Sequence, residues 1–213
     1  MEGGPANRDV RAIAMIALTV FALFEIVTFA IFRFEQSVPA LREIPTIPAA
    51  VLIFSWVIPL SIVCRVERKD AQALGLTLRR NQFMPHILCA VFFLALPIAF
   101  VGVDIELILE FVDQVIWIGL PEEVFNRGYL MNRLCNWLGN RKGLVLSAAL
   151  FGLSHILSRI GQHGFDYPVA AMAAGAQSLV GWLVLGLLFL KTRSIVLPAI
   201  VHISMNAYLS RIL

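Results

Sequence analysis

Two glutamates stand side by side in PEEVFNRGYL, residues 121–130, and an arginine follows one helical turn later: Glu122, Glu123 and Arg127. Further on, FGLSH sets Phe151 and His155 four residues apart, and HISMN does the same for His202 and Asn206. On a helix, that spacing puts each pair on one face. A carboxylate beside an imidazole can draw a proton from water when the pocket tunes both groups toward neutrality, and the resulting hydroxide attacks a carbonyl. Attack on an amide leaves an oxyanion, which an imidazole and an asparagine amide on a common face can stabilise. The set reads as a hydrolytic site with no Ser or Cys nucleophile. Ser154 is the competing nucleophile, but neighbouring helix residues point about 100° apart, so it is poorly placed for the His155 ring.

Each of these features also has a plainer reading. Gly119 can break a helix, Pro121 suits a first turn, and Glu122 and Glu123 complement the positive end of a helix dipole. A single histidine in an apolar segment reads as a hydrogen-bonded packing residue. What favours chemistry is convergence, because three separate apolar segments each supply polar groups that a bundle can aim at one cavity. An ionisable residue at mid-membrane costs roughly 2.5–3.5 kcal/mol, so Glu122, Glu123 and Arg127 facing lipid would together cost roughly 8–10 kcal/mol. They must face protein or a wet cavity. Glu123 and Arg127 form an i,i+4 pair in the favourable order, which leaves Glu122 without that partner.

Two alternatives follow from the same residues. In a zinc-dependent version of the enzyme, Glu122, His155 and His202 would be the ligands, two histidines and a carboxylate being a recognised set. No H-E-x-x-H helix supports it, so no cofactor is favoured. In a noncatalytic membrane binding or immunity protein, the polar cluster would only fix helix register. Glu25, alone in the first apolar segment, reads as a structural contact or a proton relay. His86 and His163 show no convergence; His163 falls in SRIGQHGFDYP, where Gly and Pro signal a loop.

The elements that must position these residues are membrane helices. Of 213 residues, 59% are hydrophobic and 15% charged, against about 45–50% and about 25% in soluble domains. The expected fold is all-α, a polytopic transmembrane bundle of about seven spans forming a single integral domain, residues 1–213, with residues 119–206 as the catalytic core. Spans are expected near Arg11 to Phe32, Thr46 to Cys64, Met84 to Val103, through the Glu-Glu motif to Leu134, Gly143 to Leu157, Tyr167 to Leu190, and from Ser194 onward. The first is too long for a signal-peptide core and is read as retained. RVERKDAQALGLTLRRNQF between the second and third reads as a cytoplasmic loop with a short interfacial helix. Residues 104–118 carry Glu106, Glu110 and Asp113 at helical spacing, an amphipathic segment that should not face lipid. In the sixth span, Ala171 and Gly175 have the small-xxx-small register of close helix packing.

Cys64, Cys89 and Cys135 form no C-x-x-C pair, and indicate neither disulfides nor a thiolate metal site. The net charge of +3 is too small to argue for nucleic acid. Its distribution is more informative: outside the motif, the N-terminus and alternate loops carry 12 Lys and Arg, and the other side carries only Arg33, Arg42, Arg159 and Arg211. That places the N-terminus in the cytoplasm, unless residues 104–118 also cross and reverse everything after them.

In order and spacing, E-E-x-x-x-R at 122–127, F-x-x-x-H at 151–155 and H-x-x-x-N at 202–206 resemble the CAAX protease and bacteriocin-processing family of intramembrane endopeptidases, also called the Abi family. The resemblance covers residues 119–206. It implies that Glu122 and His155 activate water, that His202 and Asn206 form the oxyanion hole, and that Glu123 and Arg127 hold the motif helix in shape. It further implies a protein or peptide substrate, lipidated or membrane-anchored, in the bilayer of a prokaryotic plasma membrane. Members of the family include prenyl-protein endopeptidases and proteins that process, or confer immunity to, bacteriocin-like peptides; both metal-dependent and glutamate-type enzymes have been described. The sequence runs seven residues past Asn206, so no C-terminal extension is expected to shape substrate access.

Overall fold

The computed structural model describes residues 5–38, 46–77, 83–95, 98 and 102–212, and among these every regular element is helical. α1 is Pro5–Ser37. α2, Thr46–Val66, carries two π-helical stretches around Pro59, which has no N–H to give the preceding turn. α3 is Phe83–Ala90, continued as a π-helix over Val91–Ala95. α4 is Ile105–Ile116. α5 occupies residues 119–138 and is built from Gly119–Glu122, a π-helical Glu123–Met131 and Asn132–Leu138. α6 is Asn140–His163, α7 Pro168–Thr192 and α8 Val196–Ile212.

The expected all-α membrane bundle is what the chain forms. Asp9–Ser37, Thr46–Val66, Asn140–Gln162 and Pro168–Thr192 are long and apolar enough to cross a membrane. α8 is apolar over Val196–Tyr208 but shorter. α5 is different in kind: every residue of Glu123–Met131 is buried in protein, so its charges never meet lipid. A helix covered on all sides belongs at the centre of a bundle, and α1, α2, α6 and α8 pack around this one.

Several boundaries move outward from the sequence reading. α6 extends through His163, so that histidine ends a helix instead of lying in a loop. α5 continues past Leu134 to Leu138 and turns into α6 at Gly139, whose φ of 82° favours glycine. Part of the third expected span (residues 96–97 and 99–101), together with Arg42, Arg79 and Arg80, lies outside the described residues.

The loop after α2 differs most. Among its described residues, 67–77, it makes a 3₁₀ turn, Ala71–Leu74, started by the Asp70 side chain accepting from Gln72 N–H, and it docks on α5 with Leu74 fully buried. Gly128 permits the docking, since a Cβ there would collide with the Leu74 carbonyl oxygen. Arg133 secures it. This residue is buried; its Nε donates to Glu67 Oε1 at 2.9 Å and its Nη1 to the Gly128 carbonyl at 2.8 Å.

Chain ends of the helices gather in two groups. At one end, Ser194 Oγ donates to the Thr77 carbonyl (2.6 Å), Ile195 N–H to the Gly75 carbonyl (3.0 Å) and Arg193 Nη2 to Asn140 Oδ1 (3.4 Å). Arg11 of α1 lies 6.0 Å over the Trp137 ring at the same end. At the other end, Gln36 Nε2 donates to the Gly161 carbonyl (2.9 Å), joining the close of α1 to that of α6. α4 lies at this second end, with Phe111 edge-on to Tyr208 late in α8 at 5.6 Å. Its 12 residues make about 18 Å of helix, against about 30 Å of hydrocarbon.

Candidate active site

α5, α6 and α8 bring the three sequence motifs together. Within α5 the backbone bonds shift to i→i+5, Asn132 N–H reaching the Arg127 carbonyl, a geometry frequent at functional positions. The buried Glu123 forms an ion pair with Arg127 one turn on and also accepts from His202 Nδ1 at 2.7 Å. Arg127 in turn lies 3.6 Å over the Trp182 ring, whose indole N–H donates to Ser147 Oγ at 3.0 Å. This Glu123–Arg127–His202 network joins α5 to α7 and α8. Glu123 therefore does more than steady its own helix.

Glu122 points elsewhere. Its side chain keeps 31% of its exposure and lines a cavity of about 490 Å³ together with Phe151, Ser154 and His155 of α6. Across α8, His202 Nε2 is 3.8 Å from Glu122 Oε2. A carboxylate only accepts, so the His202 Nδ1 proton goes to Glu123 and Nε2 is the ring atom turned to Glu122. His155 is fixed in the same manner. Its Nδ1 lies 3.0 Å from the Phe151 carbonyl, which also only accepts, so Nδ1 carries the proton and Nε2 keeps a free lone pair. Phe151 packs on the His155 ring at 4.5 Å and stacks on Trp182 at 4.3 Å.

Ser154 lies only 3.5 Å from His155 Nδ1, but its hydroxyl donates to the Phe151 carbonyl at 2.8 Å and the nitrogen it faces bears a proton. No base is available to it there. Asn206 Nδ2 donates to Gln114 Oε1 at 2.9 Å, and Gln114 Nε2 to Glu110 Oε1 at 3.2 Å. His202 and Asn206 are not on the cavity wall itself. No group of three His, Cys, Asp or Glu among the described residues has a geometry that could hold a metal ion.

Two contributors, Gln114 and Trp182, escaped the sequence reading. Gln114 was hidden within the acidic stripe, although its i,i+4 relation to Glu110 was visible. Trp182, under Arg127, gave no signal because its partners lie on other helices. Glu25, an isolated acid in sequence, proves to line the same cavity as Glu122 and His155. Ala171 and Gly175 are both buried in α7, and a Cβ on Gly152 of α6 would come within 2.9 Å of the Gly175 carbonyl, so the two backbones touch there.

Residues 104–208, about half of the chain and the part carrying all three motifs, match the family model described as type II CAAX prenyl endopeptidase Rce1-like. No curated protein and no solved structure matches the chain. An integral-membrane helical bundle whose E-E-x-x-x-R, F-x-x-x-H and H-x-x-x-N helices all fall within that match belongs to the Rce1-like, CAAX protease family of intramembrane endopeptidases.

Proposed function

We propose that this protein is a glutamate-type endopeptidase that cuts a peptide bond at membrane depth. The observation that carries the reading is that Glu122 and His155, from different helices, line one cavity while His202 stands beside Glu122. A water held between the Glu122 carboxylate and the free lone pair of His155 Nε2 loses a proton to this pair, and its oxygen attacks the scissile carbonyl. The carbonyl oxygen takes on negative charge in a place with little water, where each aligned donor is worth most. Asn206 has a second amide N–H beyond the one given to Gln114. His202 donates from Nε2 once that atom is protonated, and Glu122, 3.8 Å away, is the group able to deliver the proton.

Phe24, Phe32, Val51 and Trp117 give the cavity apolar walls, suited to a substrate that is lipidated or anchored in the bilayer. The site needs no metal in this reading. We place the protein in a prokaryotic plasma membrane with its N-terminus in the cytoplasm, as the basic loops direct.

Protein reconstituted in lipid and given a lipidated fluorogenic peptide tests the proposal. Glu122→Gln and His155→Ala should each lower kcat by about 10²–10⁴-fold, the usual contribution of a positioned acid or base, while both variants insert and fold. Near-wild-type cleavage by Glu122→Gln would refute the assignment. Chelation should leave activity intact; stoichiometric zinc in the pure protein, with activity lost to a chelator and restored by zinc, would favour the metal-dependent enzyme.

A further inference from the structure

We infer that Glu25 of α1 is the acid that protonates the leaving amine, an assignment resting on the hydrolytic reading above. Glu25 sits mid-way along α1 and lines the cavity shared by Glu122 and His155. Its nearest polar neighbour on the helix, Thr28, spends its hydroxyl on the Phe24 and Glu25 carbonyls. Among the described residues no side chain hydrogen-bonds or ion-pairs with the Glu25 carboxyl. Among the described residues, the other ionisable groups on the cavity wall are Asp113 from α4, Glu122 from α5 and His155 from α6; α2 offers only Ser55 as a polar side chain there, and no Lys or Arg is among them. A carboxyl in an apolar segment is costly, and among the described residues no side chain offsets that cost by pairing with it.

The reaction has work for such a group. Glu122 and His155 accept a proton from the attacking water, on the side from which the water comes. The C–N bond breaks only when its nitrogen gains a proton, because an amide anion is far too basic to leave. Glu25 reaches the cavity from a different helix, α1. As the tetrahedral intermediate collapses, the C=O bond re-forms, the C–N electron pair passes to nitrogen, and the nitrogen takes the Glu25 proton. The proton first drawn from water then returns to the Glu25 carboxylate. Water and amide go in, one acid and one amine come out, and the enzyme is restored.

Leaving-group dependence separates this role from a structural one. The same lipidated acyl segment is joined either to an amine through an amide or to a phenol through an aryl ester, and both are offered to the full-length protein in lipid nanodiscs. Glu25→Gln should slow the amide by about 10²–10⁴-fold and leave the ester, whose phenolate departs without a proton, close to the wild-type rate. Glu25→Asp, which keeps the acid, should retain part of the amide rate, and Glu122→Gln should slow both substrates. Unchanged amide cleavage in Glu25→Gln, or an equal fall on both substrates in both Glu25 variants, would overturn the assignment. A wild type that hydrolyses neither substrate would instead overturn the hydrolytic reading, and this inference with it.

Discussion

Adjacent glutamates with opposite surroundings carry separable predictions. Glu123 is fully buried and shared between Arg127 and His202, whereas Glu122 is part-exposed to the cavity. Removing one partner of a buried pair leaves an uncompensated charge and typically costs about 3–5 kcal/mol. Glu123→Gln should therefore lower stability by that order, seen as a shifted denaturant midpoint in detergent, and lose activity with it. Glu122→Gln should lose activity with little change in that midpoint. If the two variants behaved alike in unfolding, the division of labour between them would be wrong. The i,i+4 spacing made Glu123 and Arg127 legible as a pair, and likewise the shared faces of Phe151 with His155 and His202 with Asn206. Which groups they meet across helices was not legible: His202 turning its Nδ1 to Glu123, Asn206 leaning on Gln114, and Arg127 covering Trp182 depend on packing that no local spacing encodes.

At the level of elements, the helices were readable because hydrocarbon demands internally satisfied backbones and long apolar runs. Their ends were less so, as with α6, which carries on through its Gly and Gln residues to His163. The segment between α2 and α3 misled for a physical reason. Its charges are those of an exposed loop, yet Glu67 is taken up by Arg133 and Leu74 is buried against α5. Gly128 is the position on which this docking turns, because a methyl group there meets backbone that cannot swing aside. Gly128→Ala should cost about 1–3 kcal/mol, as overpacking does, and should open residues 67–77 to limited proteolysis in the folded protein. A variant as protease-resistant as the wild type would show that the turn is held by Arg133 and its neighbours alone.

For the molecule as a whole, a basic face and the cavity lie toward opposite ends. Loops at 67–77, 139–140 and 193–195 touch one another, and Arg11 lies at the same end over Trp137, so most of the basic residues counted from sequence share one face. α4 packs on the far end of α8, and its 12 residues are shorter than a membrane span. The cavity lies toward that far end: its wall includes Phe32 late in α1, Pro48 early in α2 and Gln162 late in α6. With the basic face in the cytoplasm, substrate should arrive from the outer half of the bilayer. In a cysteine-free background, an impermeant maleimide applied to intact cells should label Asp166→Cys and Gln162→Cys directly, and Gln72→Cys only after permeabilisation. A peptide anchored in the outer leaflet should then be cleaved by intact cells. The reverse labelling pattern would turn the molecule over and make cytoplasmic lipidated proteins the accessible substrates.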